Sequence, residues 1–98
     1  MTEETLARRF EASRPRLHAI VVRMLGSTAE ADDAVQEAWL RASRAGTEGV
    51  DNVEGWLTTI VSRICLDLLR ARTRAAARAE AAAEVAEPAP SPEEDAAL

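Results

Sequence analysis

The sequence contains no tyrosine and no lysine, and it has only one cysteine, one phenylalanine and two tryptophans in 98 residues. Its four glycines and four prolines are too few for the many turns of a β-sandwich or barrel. Because Cys65 has no second cysteine to pair with, an oxidising compartment is not indicated. The apolar run 19–22 stops at Arg23, so neither a signal peptide nor a membrane span is predicted, and we expect a cytoplasmic protein with no membrane partner.

Large apolar side chains are also scarce. Hydrophobic residues make up 47% of the chain, but 21 of them are alanine, which leaves a thin core for one small domain. This composition predicts an all-α fold, a compact domain of three to four helices with short connections.

The net charge of −5 is unevenly distributed. Residues 1–78 hold all 12 arginines and 11 acidic residues, whereas residues 79–98 hold six acidic residues and no basic one. Prolines 88, 90 and 92 interrupt this acidic segment. The pattern predicts a helical domain over 1–78 and a disordered or linker-like tail over 79–98.

Helix signals divide the first part of the chain into three segments. The first helix is predicted over 3–25, with Thr2 as its N-cap, Gly26 as its stop and a kink or restart at Pro15. A capping box over 27–30 predicts the start of a second helix, which ends near Arg44. The third helix is predicted from Val53 past Arg72, with an apolar period formed by Val53, Trp56, Leu57, Ile60, Val61, Ile64 and Leu68.

The second predicted helix has two different faces. Its core stripe consists of Ala31, Ala34, Val35, Ala38 and Ala42, with Trp39 at the edge. The opposite face carries Asp33, Gln36, Glu37 and Leu40. Two interpretations of this face remain open: an ordinary solvated surface with one exposed leucine, or a surface that binds a partner through leucine and carboxylates.

The third predicted helix carries a row of basic residues beside an aromatic one. Trp56, Thr59, Arg63, Leu66 and Arg70 share one flank, and Arg72, Arg74 and Arg78 extend the charge. Such a flank suits single-stranded nucleic acid, because arginine contacts phosphates and an aromatic ring stacks on a base. The alternative is a core tryptophan followed by a solvated helix end.

Chemistry beyond binding is not indicated. His18 and Cys65 have no partners at ligand spacing, and no phosphate loop or catalytic arrangement is present, so we expect no enzyme, no metal and no cofactor. Asp67 lies between Arg63 and Arg70 at helical spacing and is predicted to form surface ion pairs. The loop 47–52 suits either a pocket for an extruded base or a simple connector.

Two stretches together resemble a known family. ADDAVQEAWLRA at 31–42 and GWLTTIVSRICLDLLR at 55–70 are similar to the second conserved region, the sigma-two domain, of extracytoplasmic-function sigma factors of the sigma-70 family. The resemblance covers roughly residues 4–78. It implies a role in transcription initiation, with core RNA polymerase, through its β′ clamp coiled coil, and the single-stranded non-template strand of the minus-ten promoter element as partners.

The resemblance also implies residue roles. The polymerase-binding positions are Asp33, Gln36, Glu37 and Leu40. The DNA-binding positions are Asp51, Asn52, Trp56, Thr59, Arg63, Arg70, Arg72 and Arg74, with Asp51 and Asn52 beside a flipped base. Many relatives have Arg-Asn where this chain has Ser62-Arg63, which leaves its base preference open.

The resemblance places further partners after the domain. Residues 79–98 are similar to the linker that leads to a helix-turn-helix domain in these sigma factors. The amino-acid sequence of the third helix is most similar to that of the subgroup with a C-terminal extension domain. As a further partner we expect either an anti-sigma factor or the C-terminal extension domain. The alternative function is a helical protein-interaction or dimerisation module without DNA contact.

Overall fold

A computed structural model of the chain describes residues 1–86 as three α-helices, α1 (Glu3–Leu25), α2 (Ala31–Ala45) and α3 (Val53–Ala86). The predicted all-α fold is confirmed, and the described part of the chain contains no strand. None of these helices is long and apolar enough to cross a membrane. The prediction of a linker falls largely on residues 87–98, which lie outside the described residues.

The three helices form an up-down-up bundle. The rings of Phe10 and Trp39 meet edge-on with centroids 5.4 Å apart, which places the start of α1 beside the end of α2. Arg16 donates to the carbonyl oxygen of Glu54 at 3.1 Å, so α3 begins beside the middle of α1. The short connections between neighbouring helices favour this arrangement.

Both predicted ends of α1 are confirmed. The Thr2 hydroxyl accepts a hydrogen bond from the Thr5 amide at 3.1 Å, which satisfies one free N–H of the first turn. Gly26 has a φ of 74°, and its N–H donates to the Val22 carbonyl at 2.8 Å. Glycine suits this left-handed position because it has no side chain to clash.

The predicted restart of the helix at Pro15 is wrong, because α1 continues through it. Pro15 is exposed, so its ring faces water and the carbonyl that lacks an amide partner is open to solvent. The buried residues before and after it, Ser13 and Leu17, keep the same helical period. Packing of this stripe therefore holds the two halves of α1 in one helix.

The predicted capping box before α2 is also wrong. Glu30 occupies the N-cap position in a helical conformation and makes no side-chain cap bond. The Ser27 hydroxyl instead accepts from the Ala29 amide at 3.2 Å. The Glu30 carboxylate pairs with Arg72 of α3, so a contact between helices replaces the local bond that the sequence motif predicts.

The start of α3 is fixed by Asn52. Its side-chain oxygen accepts from the Gly55 amide at 3.0 Å, and its carbonyl accepts from the Trp56 amide at 2.9 Å. A Cβ on Gly55 would lie 2.8 Å from the Asn52 amide nitrogen, so any larger residue at position 55 would displace the capping side chain. The predicted start at Val53 is confirmed, and α3 continues through residue 78, where the sequence predicts a domain boundary.

The core lies between all three helices. On α2 it is built from alanines and one valine, whose small side chains let the neighbouring helices approach closely. The sequence predicts Leu68 to be part of the apolar face of α3, but it is 39% exposed in the structure. Cys65, which lies three residues earlier, is fully buried. The buried apolar side chains are Leu6, Phe10, Leu17, Val21, Leu25, Ala31, Ala34, Val35, Ala38, Ala42, Val53, Leu57, Val61, Ile64 and Cys65.

Candidate functional site

The outward face of α2 is a polar ridge, which we call the α2 ridge and define as Asp33, Gln36, Glu37 and Leu40. Asp33 and Gln36 are exposed, and the Glu37 carboxylate accepts from the Arg41 guanidinium at 3.0 Å. Leu40, which the sequence predicts to be exposed, is half-buried. The four residues share one face of α2 because the opposite face is the buried alanine stripe.

A cleft of about 260 Å³ lies on the α1 side of the ridge. It is lined by Gln36 together with the edge-to-face pair Phe10 and Trp39. Arg14 covers the Phe10 ring at 5.4 Å and donates to the Glu11 carboxylate at 2.9 Å. Hydrogen bonding from Arg14 holds the pKa of Glu11 below its ordinary value, because it stabilises the charged carboxylate.

A larger groove of about 540 Å³ lies on the other side of the ridge, between α2 and α3; we call it the α2–α3 groove. Ile64 and Leu68 lie in it with three small alanine side chains, Ala34, Ala71 and Ala75. Leu68 is exposed because the α2 residues that share this groove with it are either short or polar. The charged residues around it are Glu30, Asp33, Glu37, Arg41, Asp67 and Arg72.

The exposed side of α3 carries a second surface, which we call the arginine flank: Trp56, Thr59, Arg63, Arg70 and Arg74. At 100° per residue, positions 56, 63, 70 and 74 fall within about 40° of one another, and the row is about 27 Å long. Thr59 and the three arginines are exposed, whereas Trp56 is half-buried and packs against the core. Part of the tryptophan therefore supports the fold, and the rest is accessible beside the arginines.

Arg72 lies apart from the arginine flank, about 160° around the helix from Trp56. Its guanidinium forms an ion pair with Glu30 and donates to the Leu25 carbonyl at 3.3 Å. Arg72 thereby connects α3 to the end of α1 and the start of α2. The predicted role in DNA binding is untested, and the contacts it makes in this structure are internal ones.

The loop before α3 presents Asp51 and Asn52, and both are exposed. The Asn52 side-chain oxygen is used in capping α3, which leaves its amide group free to donate. Val50 is half-buried against the core, and its amide donates to the Thr47 carbonyl at 3.1 Å. This turn fixes the loop at the end of the bundle, next to the first residues of the arginine flank.

Asp67 connects the two surfaces. It lies 3.6 Å from Arg70 of the arginine flank and 3.9 Å from Arg41, which in turn holds Glu37 of the α2 ridge. The sequence predicts the pair with Arg70, but the contact with Arg41 requires the packing of α2 on α3. No local sequence signal indicates Arg41 or Leu68 as part of a functional surface.

The remaining reactive side chains do not form a site. Burial raises the pKa of the Cys65 thiol, and the charge of Glu30 raises it further, so the thiol stays protonated and is a poor nucleophile at neutral pH. His18 lies 3.5 Å from Asp32 on the surface. Within residues 1–86 no cluster of histidine, cysteine or acidic side chains suits a metal ion.

Comparison with known proteins identifies the family to which the chain belongs. Residues 9–75 match the Sigma-70 region 2 family, a segment that contains α2, most of α1 and the part of α3 that packs on them. No solved structure gives a significant match to the chain.

The similar curated proteins are all ECF RNA polymerase sigma factors of Mycobacterium tuberculosis. The chain is 48% identical over 62 residues to SigJ, which covers 63% of this chain and 20% of SigJ. It is 39% identical over 62 residues to the probable sigma factor SigI and 36% identical over 80 residues to SigG. The match to SigI covers 63% of this chain and 21% of SigI, and the match to SigG covers 80% of this chain and 22% of SigG. The chain therefore spans about a fifth of the length of these relatives. The chain belongs to the Sigma-70 region 2 family and is a sigma-two domain of the extracytoplasmic-function sigma factors.

Proposed function

We propose that the chain acts in transcription initiation by binding core RNA polymerase through the α2 ridge and by holding the melted minus-ten strand against the arginine flank. The observation that carries the proposal is the presence of both surfaces, one acidic and one basic, on adjacent helices of one small bundle. Membership of the Sigma-70 region 2 family supports the role in initiation.

The α2 ridge has the chemistry of a protein interface. Asp33 and Glu37 offer carboxylates to basic groups of a partner, and the half-buried Leu40 offers apolar area between them. Interfaces of this kind gain affinity from a buried apolar anchor and orientation from the surrounding charges. We therefore propose that the β′ clamp coiled coil docks along this ridge.

The arginine flank has the chemistry of a surface for single strands. Its guanidinium groups contact phosphates along the row, and the accessible part of Trp56 stacks on an unpaired base. Asp51 and the free amide of Asn52 lie at the end of the row, where they contact the edge of a flipped base. Duplex DNA offers no such unstacked base, so the single strand is the preferred ligand.

The polymerase half of the proposal is tested with purified bacterial core polymerase and the tagged chain. We expect Glu37→Lys to reduce capture by about tenfold or more and Leu40→Ala by a smaller factor, with helicity unchanged. Glu80→Lys is the matched control, because it makes the same charge change at an exposed position of α3 away from the ridge. Equal capture by both ridge variants and the wild type would contradict the assigned surface.

The DNA half is tested by tryptophan fluorescence in a Trp39→Phe background, which leaves Trp56 as the only tryptophan. We expect a single-stranded minus-ten oligonucleotide to change the emission more than a duplex of equal length does, and Arg63→Ala to weaken that response. Arg23→Ala on the exposed face of α1 is the control. If neither DNA changes the emission at low salt, while polymerase capture depends on the ridge, the chain is a protein-interaction module without DNA contact.

A further inference from the structure

Two exposed leucines lie two residues apart on α3 and face different surroundings. Leu66 is 41% exposed and lies on the side of the arginine flank, whereas Leu68 is 39% exposed and lies in the α2–α3 groove. The groove of about 540 Å³ has room for one large apolar side chain beside Leu68. The sequence predicts Leu68 as a core residue, but the described residues 1–86 cover it only in part.

The charged residues around the α2–α3 groove favour a partner with basic residues. Four carboxylates and two guanidinium groups line it, which gives a formal charge of −2. The Glu30 carboxylate is paired with Arg72, but Asp33 is exposed and carries its charge at the edge nearest the α2 ridge. An apolar floor with an acidic rim complements a basic helix that presents one apolar side chain.

The groove is continuous with the α2 ridge, because Asp33 and Glu37 belong to both. We propose that the polymerase-binding surface extends from the ridge into the α2–α3 groove, where Leu68 receives an apolar side chain from a basic helix of core polymerase. This inference rests on the proposed function of the ridge. It adds Leu68, and the groove face of α3, to a surface that the sequence places on α2 alone.

Charge also decides against the acidic end of the chain itself as the occupant. Residues 87–98 contain four acidic residues and no basic one, so the rim of the groove repels them. A second copy offers exposed arginines on α1 as well as in its arginine flank, so the test below measures the molar mass of the free chain to distinguish that occupant.

The test compares Leu68→Arg with Leu66→Arg, which changes a leucine of almost equal exposure on the same helix. We expect Leu68→Arg to weaken binding of the 98-residue chain to purified bacterial core polymerase by about tenfold, because it places a charge in an apolar contact. Leu66→Arg should change that affinity by less than about twofold. Circular dichroism and thermal unfolding of both variants show whether the fold is retained, and Leu68→Ala serves as a milder version if Leu68→Arg unfolds.

The outcomes separate this inference from the proposed function. If Glu37→Lys weakens polymerase binding and neither Leu68 variant does, the groove is not part of the interface and the ridge alone binds. If none of these variants weakens it, the ridge assignment fails as well. A change in the molar mass of the free chain caused by Leu68→Arg, measured by light scattering, would identify a second copy as the occupant and overturn the inference.

Discussion

At the scale of single residues, arginines of one helix have different surroundings. Arg63, Arg70 and Arg74 project into solvent, whereas Arg72 is held by Glu30 and the end of α1. Helical geometry separates them, because two residues along a helix correspond to about 200° around it. A sequence row of arginines therefore combines one residue that joins the helices with several whose side chains project into solvent.

Arg72→Ala is expected to destabilise the fold, and Arg74→Ala is not. Removing Arg72 breaks an ion pair and a hydrogen bond between α3 and the α1–α2 connection, worth about 1 kcal/mol together at such an accessible position. Loss of Arg74, which is exposed, should change the free energy of unfolding by less than about 0.5 kcal/mol. Thermal unfolding followed by circular dichroism measures both, and equal stability of the two variants would show that the Arg72 contacts contribute nothing.

At the scale of elements, α3 consists of two zones in different environments. From Val53 to Leu69 it packs against α1 and α2, and from Thr73 to Glu84 every residue is exposed. The second zone has the alanine and arginine content that favours a helix, but it has no apolar face to bury. Short unpacked helices are only marginally stable in water.

Hydrogen exchange should distinguish the two zones of α3. We expect amides from 58 to 66 to exchange with protection close to that of global unfolding, and amides from 77 to 84 to exchange orders of magnitude faster through local opening. The cause is the absence of tertiary contacts rather than of helical hydrogen bonds. Mass spectrometry of peptic peptides gives the comparison, and uniform protection along α3 would show that the second zone is stabilised by something other than packing.

The helices also show how far the sequence predicts the fold. The ends of α1, the start of α3 and the alanine stripe of α2 follow from caps and periodicity, which are local signals. The capping box with Glu30 and the restart at Pro15 fail because contacts between helices override local preferences. Glu30 makes its contact with α3 directly, whereas the exposed Pro15 lies between residues of α1 that pack in the core.

The same limit applies to the candidate site. The α2 ridge and the arginine flank can be predicted, because each lies on one helix and has a helical period. The α2–α3 groove cannot, since Leu68 has the spacing of a core residue and only the short side chains opposite it leave it exposed. Surfaces made by two helices require knowledge of how the helices pack.

At the scale of the whole molecule, ion pairs connect the two proposed binding surfaces. Glu37 of the α2 ridge holds Arg41, Arg41 lies beside Asp67, and Asp67 lies beside Arg70 of the arginine flank. In the free chain the Asp67 carboxylate partly neutralises a guanidinium that the proposed function assigns to the DNA strand. The two proposed binding surfaces are thus linked through one charged residue, Asp67.

Asp67→Asn is therefore expected to strengthen binding of a single-stranded minus-ten oligonucleotide to the free chain by about two- to fivefold at low salt, the range of one exposed ion pair. The gain should shrink as salt rises, because screening weakens the charge that is removed. Asp33→Asn is the control, since it removes the same charge from the ridge, where no contact with Arg70 exists. Fluorescence anisotropy with a labelled oligonucleotide measures the affinity. An equal gain from both variants would show that the net charge of the chain, and not the position of Asp67 beside Arg70, sets the affinity for the strand.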